Sequence, residues 1–202
     1  ELRSLINFQK KQTELFGVKC HLNHEVTEAD IKAMDPDVVV LATGSLPAMP
    51  AVEGINKDIV LTYEDVLNGG PPAYKKAVII GAGPTGLELA LHLAEHGCSI
   101  TMVEVLPRIG RGLEAMTKKI LLQKLKDHNV QIMTETRLSN IEDDGVMVID
   151  RDSMKLFVEA ERVIIAIGTR PQNSLYDKIK SLGYEIYQIG DCLEPATAKA
   201  AI

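Results

Sequence analysis

Six consecutive residues, Gly81-Ala82-Gly83-Pro84-Thr85-Gly86, have the types and spacing that let a backbone close around a phosphate. In such a pattern the first glycine permits a tight turn, the second lets the chain approach a pyrophosphate, and the third lets a helix pack closely on a strand. Pro84 removes an N–H where a helix start tolerates the loss. The N–H groups of the first helical turn and the helix dipole then favour a bound anion. Glu104 stands 23 residues beyond Gly81 and ends the next apolar run. An acid about 20 residues after such a loop accepts hydrogen bonds from the adenosine ribose. It also repels a 2′-phosphate, which favours NADH over NADPH. Arg108 and Arg111 follow shortly, and an arginine swung toward that phosphate would pair with it. The competing reading is that the glycines only make a turn and Glu104 only caps a strand. A methyltransferase could also use a glycine-rich loop with a ribose-binding acid.

A glycine loop carries meaning only between a strand and a helix, and the surrounding pattern supplies both. Residues 77–80 read as a strand, 84–96 as a helix, 99–103 as a strand, 113–128 as a helix and 130–133 as a strand. This alternation predicts an α/β fold, Rossmann-like, with a parallel sheet. Short β-rich pieces at 137–142, 146–149 and 155–159 are separated by the turn segments Asp143-Asp144-Gly145 and 150–153, suggesting an antiparallel meander. Residues 162–167 return as a buried strand ending at Gly168. Upstream, 2–16 suggest an amphipathic helix stopped by Gly17, and 18–22 a short strand. Thr27 and Asp30 resemble a helix start. The β-branched run 37–42, ended by Gly44, reads as a buried parallel strand. The stretch 45–75 holds Pro47, Pro50, Gly54, Gly69, Gly70, Pro71 and Pro72 and reads as a connection with a small helix at 63–67. Runs 38–44 and 163–168 share one form, an apolar strand ending at glycine.

Composition narrows the classes. Hydrophobic residues make up 46% and charged residues 25% of the 202 residues, the balance of a globular protein. No apolar run approaches the ~20 residues of a membrane span, and a cytoplasmic location is the default expectation. The net charge of −6 argues against nucleic acid or an anionic membrane as main partner. Cys20, Cys98 and Cys192 stand far apart and form no Cys-x-x-Cys pair, so no zinc site or local redox dithiol is predicted. The chain opens at Glu1 inside an apparent helix, and 196–201 look like the start of another. It is therefore expected to be a piece of a longer polypeptide. A sheet edge left unpaired in such a piece could pair with a second copy, so a homo-oligomer is an open expectation.

Four motifs occur in order: Leu41-Ala42-Thr43-Gly44, the glycine loop, Ala166-Ile167-Gly168-Thr169-Arg170-Pro171 and Ile189-Gly190-Asp191. Together they resemble the flavoproteins with two dinucleotide-binding domains, in which an NAD(P) domain is inserted into an FAD domain. The resemblance covers essentially the whole chain. Within that superfamily the chain looks most like the C-terminal region of the NADH:flavin oxidoreductase / 2,4-dienoyl-CoA reductase (old yellow enzyme-like) family. Members of that family join an N-terminal FMN-binding barrel and an iron–sulfur cluster to FAD and NAD(P) domains. The resemblance implies a rear half of an FAD domain over 1–45, a connection over 46–75, an NAD(P) domain over 76–168 and a returning FAD segment over 169–202. A first glycine loop for the FAD pyrophosphate, a barrel and a cluster-binding set of cysteines are not present in this sequence, so this chain is expected to bind FAD poorly.

By the same resemblance Asp191 would hydrogen-bond FAD near its ribityl or pyrophosphate, beside Thr43, Gly44, Gly168 and Gly190. Its alternative is an Asp capping nearby backbone or the segment 195–202. Glu88 would lie near nicotinamide and flavin, or else serve as a solvent-facing carboxylate favoured by the helix dipole. His21 and His24 lack a visible third metal ligand, and His92 and His96 are not in a metalloprotease order; neither pair is expected to bind metal. Cys192 is expected as a small buried residue. The implied activity is electron input: NADH binds and, in the intact protein, passes a hydride to FAD. The alternatives are a nucleotide-binding module without catalysis as it stands, and a disulfide reductase-type flavoprotein, which requires a cysteine pair outside this sequence.

Overall fold

The structure, a computed structural model, describes residues 2–196; most of the helix expected over 196–201 lies outside the described residues. The elements begin with helices α1 (Leu2–Leu15) and α2 (Glu28–Met34), strands β1 (Val38–Leu41), β2 (Ser45–Pro47) and β3 (Val60–Thr62), and helix α3 (Tyr63–Asn68). Next come β4 (Lys76–Ile80), α4 (Pro84–Glu95), β5 (Ser99–Val103), α5 (Ala115–Asp127) and β6 (Gln131–Met133). Strands β7 (Arg137–Ile141), β8 (Gly145–Ile149), β9 (Lys155–Glu159), β10 (Arg162–Ile165) and β11 (Thr169–Pro171) follow. Helix α6 (Ser174–Ile179), β12 (Glu185–Gln188) and a 3-10 turn at Gly190–Cys192 complete the described chain. It divides into two compact units, residues 1–39 with 174–187, and residues 40–173 with 188–202.

The larger unit is organised by a five-stranded sheet of order β3-β10-β4-β5-β6, parallel throughout. Successive side chains of a strand point to opposite faces, and both faces of this sheet are covered. Ala77 and Ile79 join Leu87, Leu93, Met102 and Leu125 beneath the helices. Val78 and Ile80 join Ile141, Val146 and Val148 beneath the antiparallel meander β7-β8-β9. Burial on both faces is why β4 reads as an unbroken apolar run rather than an alternating one. The expected α/β parallel sheet with a meander is therefore observed.

The stretch expected as a connection contributes more than that. Its strand β3 forms the sheet edge beside β10, and β2 pairs antiparallel with β11. Proline and glycine around them hid two strands of only three residues each. The repeated strand-then-glycine form has a structural counterpart. Gly44 and Gly168 both have positive φ, +73° and +111°, and each introduces one strand of the β2–β11 pair. The Gln172 N–H donates to the Gly44 carbonyl (3.0 Å), and the Ala48 N–H to the Gly168 carbonyl (2.9 Å).

Helix α3 is started by a reciprocal cap. Thr62 Oγ1 accepts from the Asp65 N–H (3.2 Å), while Asp65 Oδ2 accepts from the Thr62 N–H and hydroxyl (2.7 Å each). These bonds, the side-chain one foremost, hold the Asp65 carboxyl below its ordinary pKa. A lowered folded-state pKa stabilises above the unfolded value and the gain is lost as pH falls through the folded one. Thr62→Ala is expected to cost about 1 kcal/mol. The stability deficit of Asp65→Asn, measured by urea unfolding, is expected to be largest at neutral pH and to shrink below about pH 4; a deficit independent of pH would refute the cap's ionic contribution.

In the smaller unit α2 starts as expected, with Thr27 and Asp30 forming a capping box. It packs on α6, and each helix carries a buried isoleucine, Ile31 on α2 and Ile179 on α6. β1 and β12 form a two-stranded sheet. Two expectations are corrected. Residues 18–22 form no strand; Val18 and Leu22 are exposed and have no ladder partner among the described residues. β1 is a strand but not a buried one, because β12 is its one sheet neighbour among the described residues and Val38 and Val40 stay exposed. Helix α1 forms over the expected span, with Leu5, Ile6 and Phe8 exposed. Among the described residues no helix is long and apolar enough to cross a membrane.

Candidate functional site

The chain proceeds from β4 through β5 to β6 in one direction, and β10 lies on the other side of β4. The loops leaving β4 and β10 thus meet at the carboxyl edge of the sheet where the strand order reverses, the place where open α/β sheets bind ligands. A cleft of ≈ 500 Å³ opens there, lined among others by Gly81, Gly83, Pro84, Thr85, Glu104, Arg108, Arg111 and Gly168.

The three loop glycines have different reasons to be there. Gly81 has φ +106°, and a Cβ on it would lie 2.8 Å from the Ala166 carbonyl carbon. A Cβ on Gly86 would lie 3.1 Å from the Gly81 carbonyl carbon and 3.6 Å from Ala166 Cβ. Both positions are therefore required by the packing of β4, α4 and the β10 loop. Gly83 differs: its φ is −73°, which any residue adopts, and an added Cβ meets nothing within 4 Å. Its own fold does not demand a glycine there, and it faces the cleft.

Gly83 is also the N-cap of α4, with no side-chain cap and with Pro84 at the helix start. The N–H groups of this first turn therefore lack an internal acceptor and, with the helix dipole, present positive potential to the cleft. Around it stand Arg108, Arg111 and Arg137, exposed and without an ion pair or hydrogen bond among the described residues. Glu104 is the one acid among the lining residues, so the cleft suits an anionic ligand.

Glu104 is already engaged. Its Oε2 accepts the Ala82 N–H and its Oε1 the Leu106 N–H, each at 2.8 Å. Its backbone N–H donates to the Met133 carbonyl (2.8 Å), and its carbonyl accepts the Thr136 N–H (3.0 Å). Each carboxylate oxygen keeps a further lone pair for a ligand hydroxyl.

The structure thus brings together Gly81, Gly83, Pro84, Thr85, Glu104, Arg111 and Gly168, with Gly86 behind the loop. Glu88 is exposed on α4 and does not line the cleft. Thr43, Gly44, Gly190 and Asp191 lie outside it. There the Thr43 hydroxyl donates to the Gln172 carbonyl (2.7 Å). Asp191 accepts from the Ser45 hydroxyl (3.3 Å) and the Ala196 N–H (3.2 Å). Gly44 and Gly190, at positive φ, would carry a Cβ into open space. Cys192 is fully buried, its thiol directed to the Leu41 and Ile189 carbonyls. Arg137, Leu138 and the buried Thr136 were not anticipated. They sit where the meander begins, and no spacing rule points there.

Residues 4–191 match the family model described as pyridine nucleotide-disulphide oxidoreductase. The chain is 32% identical over 180 residues to an NADH oxidase of Thermoanaerobacter brockii, covering 87% of this chain and 28% of that protein. It is 29% identical over 181 residues to a cinnamate reductase of Clostridium sporogenes, covering 88% of this chain and 27% of that one. Among solved structures, a 2-naphthoyl-CoA reductase in complex with 2-naphthoyl-CoA superposes with a TM-score of 0.85 at 31% identity, over 96% of this chain and 29% of its own. The chain therefore spans less than a third of the length of these proteins.

Proposed function

The chain belongs to the pyridine nucleotide-disulphide oxidoreductase family, and from that premise we propose that it is the NAD(P)H-binding part of a flavoprotein oxidoreductase, with NADH as its preferred dinucleotide. One observation carries the reading: Gly83 is a glycine its own fold does not need, placed at an uncapped helix start facing the cleft. The residues fit the group. In this reading the Gly83 loop and the first turn of α4 hold the pyrophosphate. Glu104 accepts the adenosine ribose hydroxyls, and its charge disfavours a second phosphate there. Arg111, with Arg108, balances phosphate charge. Gly168 lines the same cleft from the β10 loop.

A reduced nicotinamide supplies a hydride, and a flavin accepts it. The part played by this chain is alignment: it holds the dinucleotide at the sheet edge, and hydride transfer depends more on alignment than on acid–base help. Thr43, Gly44, Gly190 and Asp191 are proposed to border FAD in the intact protein, with Glu88 toward the nicotinamide and flavin. The domain division proposed with it is 76–168 as the NAD(P) domain, a connection over 46–75 that lends β3 to its sheet edge, and FAD-domain segments at 1–45 and 169–202. The finer assignment is to the NADH:flavin oxidoreductase / 2,4-dienoyl-CoA reductase group, with FMN and an iron–sulfur cluster elsewhere in the protein; the opening helix α1 and the Asp191-Cys192 pair support it, and a cytoplasmic location is proposed with it. The likeness to an NADH oxidase and to two reductases agrees with it.

Calorimetric titration of the chain with NADH and, separately, NADPH tests the proposal. Saturable binding with NADH the tighter ligand is expected; binding of neither overturns it, and tighter NADPH overturns the preference.

A further inference from the structure

We infer that Glu104 is a positioning residue for the phosphate-binding loop, in addition to any contact with ribose, so that removing its charge weakens both dinucleotides instead of converting the site to NADPH. The inference rests on the proposed dinucleotide reading and concerns how that site is held.

The bonds of Glu104 join three separate loops. Its Oε2 holds the Ala82 N–H in the middle of the glycine loop, and its Oε1 holds the Leu106 N–H in the loop after β5. Its backbone ties the chain leaving β6 through Met133 and Thr136. Ala82 is 1% exposed, and its carbonyl accepts the Gly110 N–H at 2.7 Å. The loop is thus pinned through both peptide units that flank the Ala82 Cα, and Glu104 is the side chain that holds the first of them. With Ala82 fixed this way, the next residue, Gly83, lines the cleft, and its N–H has no acceptor among the described residues.

The chemistry of the acceptors decides what substitutions do. Both Ala82 and Leu106 present N–H donors, so the clasp needs two acceptor oxygens on one side chain. Glutamine has one oxygen and one NH₂; one of the two backbone donors would then face another donor. Asp keeps the charge and both oxygens but is one methylene shorter. It cannot span to Ala82 and Leu106 from the same backbone position, since a bond stretched much beyond 3.2 Å is lost. An acid that only reads ribose has no such demand, because Asp and Glu serve equally in that role.

The experiment is calorimetric titration of the wild-type chain, Glu104→Gln and Glu104→Asp with NADH and with NADPH, alongside thermal unfolding of each. Expected are a fall in NADH affinity of about 10-fold or more for both variants, as befits a lost charge-assisted bond to a buried N–H, and no gain in NADPH affinity over wild type. Unfolding midpoints near wild type would locate the loss in the loop. Amide exchange supplies a second readout if a variant is too unstable to titrate: the Ala82 and Leu106 N–H groups are expected to exchange faster while those of β4 and β5 stay protected. Tighter NADPH binding by Glu104→Gln, or unimpaired NADH binding by Glu104→Asp, would overturn the clasp while leaving the dinucleotide site intact. Wild type that binds neither ligand would instead overturn the reading on which the clasp rests.

Discussion

Gly83→Val is expected to abolish tight dinucleotide binding, lowering NADH affinity by about 100-fold or more, while the protein stays folded. The separation of the two effects is the point of the experiment. Gly83 has φ −73° and ψ −175°, an extended conformation in which a β-branched residue is comfortable. Its added Cβ finds open space, so no core contact is broken. The one folding cost is the poorer N-cap, about 1 kcal/mol, since glycine is accepted at that position and valine is not favoured. Binding is affected through a different route. An isopropyl group at this position occupies the cleft side of the loop and keeps an anion from the N–H groups at the start of α4. Charge-assisted bonds of that kind contribute about 1.5–3 kcal/mol each. Losing one or two of them matches a 100-fold change, at about 1.4 kcal/mol per tenfold. Titration with NADH and urea unfolding of the same variant check both halves. Binding within threefold of wild type would mean that the loop only turns the chain.

Most of the sheet was legible because a parallel strand buried on both faces writes itself as an apolar run, as in 77–80, 99–103 and 162–165. The loop between strand and helix was legible for the same reason: Gly81 and Gly86 answer to packing that every such turn must satisfy. What the pattern could not tell apart is why each glycine is there. Gly83 differs from Gly81 in its φ and in what its missing Cβ would touch, and the second difference depends on Ala166 and Ile167, more than eighty residues away. Strand β3 escaped notice because three residues between prolines and glycines carry no period; it is a strand because β10 is beside it. The converse error at 18–22 has the same cause. A few apolar residues make a strand only when a ladder partner exists, and none is found there among the described residues. Arg137 joins the cleft through tertiary placement alone, the Thr136 N–H meeting the Glu104 carbonyl.

That comparison also limits what a motif can promise about Glu104. Its distance from Gly81 marks it as a ribose-binding acid, and nothing in that spacing reveals that both its oxygens are already committed to backbone donors. The same residue can therefore satisfy the motif and carry a second duty. A specificity change designed from spacing alone would exchange one acid for a neutral residue and disturb the loop it meant to retune.

The counterpart to Gly83→Val is the pair Gly81→Ala and Gly86→Ala, where the smallest possible addition is expected to cost the fold heavily. At Gly81 two penalties act together. Its φ of +106° is a conformation that an L side chain adopts only under strain, about 1–3 kcal/mol. Its Cβ would also press on the peptide after Ala166, 2.8 Å from the carbonyl carbon and 3.2 Å from Ile167 Cα. Overpacking of this kind costs about 1–3 kcal/mol, and relief by movement is blocked on both sides. The Gly81 N–H is bonded to the Val103 carbonyl and the Ala166 N–H to the Ile80 carbonyl, each at 2.8 Å, so neither backbone can withdraw without breaking the end of a sheet ladder. Gly81→Ala is therefore expected to lose roughly 3–5 kcal/mol. Gly86→Ala, with an ordinary helical backbone but a Cβ driven into the Gly81 peptide, is expected to lose about 2–3 kcal/mol. Because both substitutions act on Gly81, one on its own backbone and the other on its carbonyl, the double variant should fall short of the sum: once Gly81 has shifted, the second Cβ meets a contact already disturbed. Urea unfolding of the two single variants, the double variant and Gly83→Ala as the tolerated control measures all of this in one series. A Gly81→Ala protein as stable as wild type would show that the loop after β10 yields freely, and the close approach of the two loops that shapes the floor of the cleft would lose its claim to be fixed by glycine.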